Sequence, residues 1–598
     1  MSYFLGAALA LMLGSSPASA SSLSDIEHVV IFMQENRAWD HYFGSMAGVR
    51  GFNDPNVQIN SDGLSVYHQI VDPDMSTDAQ TLLPWYLGYE GGDSVNAIQC
   101  MAAGSNGYTE NQAALNGDLN NHWARNNTPW SWGYLKRSDI PIHFAIAEAW
   151  TSGDMYQESQ ITATNPNRVT LVSGSINVPG GPQNPSQGGP YIDNNEVPGC
   201  ESDGQSCYPL KWKTVYEFYE DAGVTWQVYQ DTNNFDDNPL AWFQQFQKAG
   251  KGSPLADKGM AFNGLESFYA AAANGTLPEV SFIVGPAELS STPPTSPKTK
   301  LVALEITSLP STLPETPLVS GWKIPLASSA TSTLARASAS PSTLFLPWTR
   351  GGRVFTERAD HNSQILFVEQ WLQARGYKNI QTDQMVPWRR AHMSNLINAL
   401  DLDHPNLDIP IIPEAETPVT NDNGDYVGSA QCQAKYPTQR PTVPYGQQDN
   451  STNTLFFEDG FKEVVGYLTE GRYLTFEKNS KALAASRSDS VSATDATPKH
   501  DTKSQRWVIH YTEDEESEIF TISSAFDNRW IGAKGALRDD ASDAAQIRTS
   551  FLGNGSGYTL QFVDGGAYLD ISSGGFELVS SDQVPNPGFK VFSVSYHD

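Results

Sequence analysis

Short apolar runs alternate with amphipathic stretches from residue 25 to about residue 405, and this alternation constrains the fold more than any other feature. The strand-like runs lie at 28–33, 224–229 and 280–284. Helices are predicted at 142–150, 213–222 and 361–375. Asp360 is the predicted N-cap of the last helix, and Gly223 and Gly376 are predicted helix stops. Apolar strands separated by helices are typical of a mainly parallel sheet, so the pattern predicts an α/β, doubly wound fold.

The first 20 residues have the features of a secretory signal peptide. Residues 3–13 form a short apolar core, and Ala18-Ser19-Ala20 has the small-x-small pattern of a cleavage site. This apolar stretch is too short to span a bilayer, and no later segment is long enough either. We therefore expect a secreted, extracellular protein without a transmembrane segment, whose main domain occupies residues 21–405.

Acidic residues dominate the charge of the chain. Its 67 Asp and Glu residues outnumber 37 Lys and Arg residues, which gives a net charge of −30. This balance argues against a nucleic-acid partner, because little basic surface is left to meet phosphates. It also argues against electrostatic docking on anionic membranes. Solubility of a secreted protein is the simpler explanation of the acidity.

The cysteines and sequons fit an oxidising, extracellular compartment. The four cysteines are Cys100, Cys200, Cys207 and Cys432. They allow one or two disulfides in three possible pairings, and we expect Cys200 with Cys207 first because these two bracket a short polar loop. Glycosylation sequons lie at Asn126, Asn274, Asn450 and Asn554.

The composition changes twice after residue 405. Residues 406–454 are rich in proline and polar residues, which predicts a linker. Residues 455–598 alternate short aromatic strands with Gly, Asn, Asp and Ser turns, which predicts a separate all-β module, either a trefoil or a small sandwich. Its residues Trp507, Trp530 and Tyr568 are expected in the core of the module. Stacking on the sugars of a bound glycan is the alternative.

A carboxylate and an amide follow the first predicted strand. In MQENRAWDHYFGS, residues 33–45, Glu35 and Asn36 come directly after the apolar run at 28–33. Ligands of parallel sheets bind beyond the carboxyl ends of the strands. Oxygen donors at such a position suit a hard cation or a phosphate ester.

A second polar motif, Thr164-Asn165-Pro166-Asn167-Arg168, precedes a helix-like run. The hydroxyl of Thr164, in a turn restricted by proline, is a candidate nucleophile toward phosphorus, and backbone N–H groups at a helix start can receive phosphoryl oxygens. Arg168 is a candidate partner of a phosphate oxygen. An ordinary Asn-Pro turn with a surface arginine is the alternative interpretation of this motif alone.

Three long stretches occur in the order that is found in a known family. They are EHVVIFMQENRAWDHYFGSMAGVRGFND, IPIHFAIAEAWTSGDMYQESQITATNPNR and PWTRGGRVFTERADHNSQILFVEQWL. Over most of residues 25–405, the chain resembles the secreted phosphoesterase family of phosphatidylcholine-type phospholipases C and acid phosphatases, in its fungal branch. These ordered matches are specific for the family and much less so for the substrate.

The resemblance implies a fold, a cofactor and roles for particular residues. The implied fold is an alkaline-phosphatase-like α/β core. Glu35 and Asn36 take the positions of metal ligands, and the metal is a divalent ion whose identity the resemblance leaves open. Thr164 takes the position of the nucleophile, which also touches the metal. The implied reaction passes through a phosphothreonine that water then hydrolyses.

The chain departs from the family pattern at an expected histidine. Gln112 stands where the family usually has this residue, and His122 is the nearest imidazole. His122 is therefore a candidate acid for the leaving group, and a structural histidine packed beside Trp123 is an equal alternative. His361, which follows Asp360 in a family-like Asp-His pair, is expected first at a capped helix start and otherwise at the site.

The departure is largest in residues 291–345. This segment contains no Asp and no His, and 20 of its 55 residues are Ser or Thr. The family carries a histidine where this chain has Thr292, and it carries an acidic pair of metal ligands later in the segment. The composition resembles a flexible linker, although a buried strand is expected here. We therefore regard 291–345 as an aberrant segment of the phosphoesterase domain.

Three hypotheses about function follow. The first is a secreted, metal-dependent phosphoric ester hydrolase of the phospholipase C type, with a phospholipid or a small phosphoester as substrate. The second is an inactive relative that binds phosphorylated head groups, or glycans through the C-terminal module. The third is an acid phosphatase acting on small monoesters. Residues 291–345 distinguish the first hypothesis from the second.

Overall fold

The structure is a computed structural model, and it describes most of the chain from residue 22 onward. The described residues are 22–33, 37–92, 94–98, 104–105, 107–162, 164–177, 210–232, 234, 237–285, 342–344, 346–414, 422, 434–436, 440–512, 518–573 and 575–597. Several predictions fall outside them: the leader, Glu35 and Asn36, all four cysteines, and nearly all of 291–345. No helix in the described ranges is long and apolar enough to cross a membrane.

The described residues among the first 400 form ten α-helices and ten short strands. The helices are α1 Trp39–Phe43, α2 Ser94–Ala97, α3 Tyr108–Leu115, α4 Pro141–Ala149, α5 Thr164–Ser173, α6 Val215–Ala222, α7 Gln244–Gln247, α8 Gly264–Ala273, α9 His361–Ala374 and α10 Pro387–His392. The strands are β1 Val29–Phe32, β2 Gln69–Ile70, β3 Thr81–Leu82, β4 Trp85–Tyr86, β5 Gly133–Tyr134, β6 Thr151–Gly153, β7 Trp226–Tyr229, β8 Val280–Ile283, β9 Ser342–Leu344 and β10 Val354–Phe355.

Three of these strands form the parallel sheet that the apolar runs predict. β8 lies between β1 and β7, and both neighbours pair with it in parallel. β1 and β8 are buried along their whole length, as unbroken apolar strands require. The parallel α/β arrangement is confirmed for these strands, while the doubly wound, alkaline-phosphatase-like form of the complete core stays a prediction.

The predicted helix ends agree with the structure to within two residues. Gly223 follows α6 with φ +76°, and Gly376 lies just beyond α9 with φ +94°. Glycine accepts this left-handed conformation without a steric cost, so it is suited to ending a helix. The carboxylate of Asp360 accepts a hydrogen bond from the backbone N–H of Asn362 and caps α9, as predicted.

The C-terminal region contains thirteen described strands. They are β11 Gly460–Val465, β12 Tyr473–Lys478, β13 Lys481–Ala484, β14 Ser492–Asp495, β15 Trp507–Tyr511, β16 Ile519–Ser524, β17 Trp530–Ile531, β18 Leu537–Arg538, β19 Ile547–Phe551, β20 Tyr558–Phe562, β21 Tyr568–Ser572, β22 Gly575–Val579 and β23 Lys590–Ser595.

Twelve of these strands have the arrangement of a β-trefoil. Strands β12, β15, β16, β19, β20 and β23 pair in a closed ring, in which a bridge between Tyr558 and Phe589 joins β20 to the segment before β23. Three hairpins, β13–β14, β17–β18 and β21–β22, complete the threefold pattern. Trp507 and Tyr568 are buried, as predicted for core residues, and Trp530 is half-buried.

The trefoil is joined to the first part of the chain by backbone pairing. β10 lies between β6 and β11 and pairs in parallel with both, so one hydrogen-bonded sheet runs through both regions. The described end of the predicted linker also packs against the first region: Val443 belongs to its core, and the Gln448 side chain bonds the backbone of Leu83. These contacts fix the position of the trefoil relative to the α/β region.

A buried ion pair reinforces this junction. The Arg472 guanidinium donates to the Asp154 carboxylate at 3.0 Å, and both side chains are almost fully buried. The other Asp154 oxygen accepts from the backbone N–H of Arg50 at 2.7 Å. Gly471 gives Arg50 the room to approach, because a Cβ at residue 471 would lie 1.8 Å from Arg50 Nε.

We expect Arg472→Ala to lower the free energy of unfolding by about 3–5 kcal/mol, because it leaves the Asp154 carboxylate buried without its charge partner. Urea denaturation followed by tryptophan fluorescence measures the loss. Lys481→Ala breaks the exposed ion pair with Asp495 and serves as the control, with an expected change of about 1 kcal/mol or less. Equal losses in the two variants would show that the buried pair does not hold the two regions together.

Candidate active site

Thr164 is the first residue of α5, a helix in which every residue is buried. The start of this helix is fixed by two hydrogen bonds between Gln160 and Asn167. The backbone N–H of Gln160 donates to the Asn167 side-chain oxygen at 2.9 Å, and the Asn167 amide donates to the Gln160 carbonyl at 3.1 Å. The intervening chain therefore makes a tight loop that presents the N-terminus of α5.

Arg168 joins α5 to the end of β1. Its guanidinium donates to the Asp237 carboxylate and carbonyl, each at 3.1 Å, and to the Met33 carbonyl at 3.4 Å. Met33 directly follows β1 and is followed in sequence by Glu35 and Asn36. These contacts give Arg168 a positioning role between α5, β1 and residue 237, while its contact with a phosphate oxygen stays a prediction.

A buried polar network lies between the strand-loop region before Thr164 and the start of α9. His361 Nε2 is 2.8 Å from Glu158 Oε2, and His361 Nδ1 is 2.9 Å from the Tyr156 hydroxyl. This geometry fits a neutral imidazole that donates from Nε2 to the carboxylate and accepts at Nδ1 from the tyrosine. Gln364 donates to the same hydroxyl at 2.7 Å. His361 is therefore fully engaged by its neighbours.

Asp360 forms the second branch of this network. Its carboxylate accepts from the Ser159 hydroxyl at 3.0 Å and pairs with the Arg389 guanidinium. Arg389 also donates to the Ser159 carbonyl at 2.6 Å. Asp360 thus caps α9 and at the same time ties α10 to the loop before Thr164.

A cavity of about 470 Å³ opens beside this network. Its wall includes residues 157–162, Gln112, Ile176, Asp360, Trp388 and Arg389. Thr164 follows this wall by two residues but is not among the described lining residues. The volume is within the ordinary range for a small-molecule site. Its lining combines the buried polar residues Ser159 and Asp360 with the exposed apolar side chains of Ile161 and Trp388, a combination suited to an amphiphilic ligand.

Gln112, rather than His122, reaches this cavity. The Gln112 amide donates to the carbonyl of Ile161 at 3.3 Å. His122 lies outside the lining, with its two ring nitrogens 3.3 Å from the side-chain amides of Asn116 and Asn126. Burial and the charge of Arg125 lower the pKa of His122, which disfavours the protonated form that a general acid needs.

Sequence reasoning did not single out four residues of the network. They are Tyr156, Glu158, Ser159 and Arg389. The first three lie within the stretch MYQESQITATNPNR directly before and around Thr164, so their closeness in sequence to the nucleophile candidate was an available signal. Arg389 has no such signal, because only the folded chain brings it to Asp360.

The described residues provide one of the three predicted metal ligands, Thr164. Glu35 and Asn36 lie outside the described ranges. Within those ranges, no group of three or more His, Cys, Asp or Glu side chains is placed to hold a metal ion. A hard divalent cation needs several oxygen ligands, commonly with more than one carboxylate. The described residues by themselves therefore do not form such a site.

Two buried histidines lie in or against the segment that follows Asn36. His41 donates from Nδ1 to the Gly133 carbonyl at 2.7 Å, and burial together with the charge of Arg37 lowers its pKa to about 3. The His143 ring packs against the Tyr42 ring with centroids 5.0 Å apart, and burial lowers its pKa to about 4. Both imidazoles are therefore neutral in the folded protein at neutral pH.

Comparisons with known proteins identify the family to which the chain is related. A family model described as Phosphoesterase family matches residues 26–304. The chain is similar to a non-hemolytic phospholipase C of Pseudomonas aeruginosa, 30% identical over 536 residues that cover 82% of this chain and 73% of the relative. A non-hemolytic phospholipase C of Burkholderia pseudomallei is 30% identical over 514 residues, covering 72% and 69%. Phospholipase C A of Mycobacterium tuberculosis is 32% identical over 289 residues, covering 46% and 52%.

Among solved structures, a Polyporus squamosus lectin bound to a sialylated epitope aligns with 23% of this chain and 50% of its own chain. The identity is 14% and the TM-score is 0.17, a likeness too low to bear on fold or ligand. The family-model match ends at residue 304, within the Ser/Thr-rich segment.

We expect His143→Phe to flatten the acid side of the stability profile. His143 has a lower pKa in the folded state than in the unfolded state, so unfolding takes up a proton between about pH 6.5 and pH 4. Its contribution to stability is present above the unfolded pKa of about 6.5 and falls by about 1.4 kcal/mol per pH unit below it. In the variant, the free energy of unfolding is expected to change less with pH in this range. Denaturant titrations at pH 4.5, 5.5 and 7 measure this free energy for both proteins. His404→Phe, at an exposed site, is expected to keep the wild-type slope, and a parallel shift in both variants would contradict the assignment.

Proposed function

This chain belongs to the phosphoesterase family and is a hydrolase acting on phosphoester bonds, and from this premise we propose that it is a secreted, phospholipase C-like enzyme with Thr164 as its nucleophile. The observation that carries the proposal is the placement of Thr164 at the N-terminus of the buried helix α5, two residues after the last residue of the 157–162 wall of the 470 Å³ cavity, in a helix tied through Arg168 to the end of β1. The names of the relatives support a phospholipid as the substrate.

The proposed reaction has two displacement steps at phosphorus. The Thr164 hydroxyl oxygen attacks phosphorus and loses its proton, and the diacylglycerol oxygen leaves and gains a proton. Water then attacks the phosphothreonine, which releases the phosphorylated head group and restores the hydroxyl. The N-terminus of a helix favours bound anions, so the start of α5 is the proposed receiver of the phosphoryl oxygens.

We propose Glu35, Asn36 and Thr164 as ligands of a divalent cation. When bound, such an ion supplies positive charge that lowers the pKa of a coordinated hydroxyl and neutralises charge on the phosphoryl group. Arg168 and Asn167 hold the start of α5, and therefore the Thr164 hydroxyl, in a fixed position relative to the end of β1.

An inactive relative that binds phosphorylated head groups is the second candidate function. The observation that favours it is the absence of Asp and His from residues 291–345, where the family carries further metal ligands. Binding of a phosphorylated head group without turnover would then depend on the same cavity. The experiment on Thr164 separates the two candidates.

We expect Thr164→Val to abolish hydrolysis of p-nitrophenyl phosphorylcholine, with a loss of about 10³-fold or more in kcat, because the variant keeps the shape of the side chain and lacks the nucleophile. Thr164→Ser is expected to retain activity within about tenfold. Thr170→Val is the matched control, since Thr170 lies in the same buried helix and its hydroxyl donates to the Pro166 carbonyl within that helix.

The same assay tests the cation and the substrate class. Wild-type turnover is expected to disappear with chelator and to return with excess divalent cation. Faster hydrolysis of p-nitrophenyl phosphorylcholine than of p-nitrophenyl phosphate supports a phospholipase C, and the reverse order supports an acid phosphatase. A folded wild-type protein whose turnover equals that of Thr164→Val would favour the inactive relative.

We expect His122→Gln to leave kcat/KM within about threefold of wild type, because the imidazole lies outside the cavity and is held by two asparagine amides. Steady-state hydrolysis of the phosphorylcholine ester across pH 5–8 provides the measurement. A loss of about 100-fold together with the disappearance of an alkaline limb in the pH profile would instead establish His122 as the acid for the leaving group.

A further inference from the structure

Helix α10 turns its charged side chains inward and its apolar side chains outward. Arg389 pairs with Asp360, and Arg390 forms two bonds with the buried Glu369 carboxylate, at 2.6 and 3.1 Å. Trp388 is 49% exposed, and Val386, the N-cap of the helix, is 43% exposed. A surface helix ordinarily has the opposite orientation, with its apolar side against the core. Val386 and Trp388 therefore present apolar surface to solvent beside the two arginines that anchor α10.

The exposed tryptophan is held in place. Its ring stacks on the His392 ring with centroids 4.7 Å apart and an interplanar angle of 18°. The two residues lie one turn apart on α10, and the inward ion pairs of the arginines fix the helix beneath them. Because the Trp388 ring is already held in one orientation, little side-chain entropy is lost when it binds to another surface.

Three exposed hydrophobic side chains line the cavity of the candidate active site. Tyr108, Ile161 and Trp388 all line the 470 Å³ cavity, and all three are among the exposed large hydrophobic residues. The same cavity is lined by Ser159 and Asp360 of the polar network. The lining of one cavity thus combines exposed apolar side chains with buried polar ones. A phospholipid, with apolar chains and a polar head group, has the matching chemistry.

The charges around this rim select the type of surface. Arg389 and Arg390 are neutralised by their carboxylate partners, so the rim offers no free guanidinium to an anionic lipid among these residues. The whole chain carries a net charge of −30, which repels anionic surfaces. Tryptophan and tyrosine side chains are favoured at the head-group level of a bilayer, where their rings are partly buried in apolar surroundings. A zwitterionic lipid surface has no net charge, so the acidic chain is not repelled by it, and its head-group level accepts tryptophan and tyrosine rings.

We propose that Tyr108, Ile161, Val386 and Trp388 form a docking rim that rests on a zwitterionic phospholipid surface and brings a single head group into the cavity. This inference rests on the proposed phospholipase C-like function, because that function is the reason to expect a lipid surface as the partner. The docking itself is a binding event that does not require turnover, so the two can fail separately.

The first experiment measures binding of the full chain to phosphatidylcholine vesicles by sedimentation. Trp388→Ala is expected to weaken vesicle binding at least tenfold, and Val386→Ser several-fold. Phe262→Ala removes an aromatic side chain that is 58% exposed and outside the cavity lining, and it is expected to bind as the wild type does. Vesicles of phosphatidylglycerol are expected to bind at least tenfold more weakly than those of phosphatidylcholine.

The second experiment follows hydrolysis by Val386→Ser, because Val386 does not line the cavity. Its turnover of the soluble ester p-nitrophenyl phosphorylcholine is expected to equal that of the wild type, while its turnover of vesicle lipid falls in proportion to the lost binding. Equal losses on the two substrates would overturn the docking role.

Further outcomes test the identity of the docking partner separately from the proposed enzymatic function. Unchanged vesicle binding by Trp388→Ala, or tighter binding to anionic vesicles, would overturn the proposal. A wild-type dimer in sedimentation equilibrium that dissociates in Trp388→Ala would also overturn it and assign the rim to a second copy of the chain. Trp388-dependent binding to phosphatidylcholine by a protein without turnover would uphold the docking rim and refute the proposed enzymatic function.

Discussion

The arrangement of the two regions and the candidate site both depend on the hydrogen bonds of one buried carboxylate, that of Asp154. It accepts from Arg472 of the trefoil and from the backbone of Arg50 in the α/β region. Because a buried carboxylate without partners is strongly unfavourable, these donors have to be present together. Asp154 directly follows β6, and two residues later the chain enters the polar network that leads to Thr164.

Through its position in the chain, Asp154 connects the trefoil to the loop of the candidate active site. β6 pairs with β10, β10 pairs with β11 of the C-terminal region, and the Asp154 carboxylate bonds the residue just before β12. The loop that carries Tyr156, Glu158 and Ser159 is therefore supported from one side by the trefoil and from the other by α9. The β region thus acts as a structural support for the candidate site.

The sequence predicts the features that depend on local chemistry and misses those that depend on distant partners. The β1 strand and the Asp360 cap of α9 follow from neighbouring residues, and the structure agrees with them. The two β architectures that fit the C-terminal module differ only in how distant strands pair, so local patterns did not separate them. The contact of Arg168 with Asp237, 69 residues away, could not be predicted from the sequence, because only the fold brings the two residues together.

The use of arginine around the cavity bears on the class of ester. Arg168, Arg389 and Arg390 are each paired with a carboxylate, so none of these three adds net positive charge to the site. A phosphate monoester carries nearly two negative charges at neutral pH, whereas a phosphodiester carries one. Binding of a dianion to such a neutralised site would depend almost entirely on the start of α5 and a bound cation. A diester needs less compensation, and its two apolar chains match the apolar rim. For the proposed function, the electrostatics and the rim therefore support a phospholipid over a small monoester, because the three paired arginines add little free positive charge and the described lining includes exposed apolar side chains.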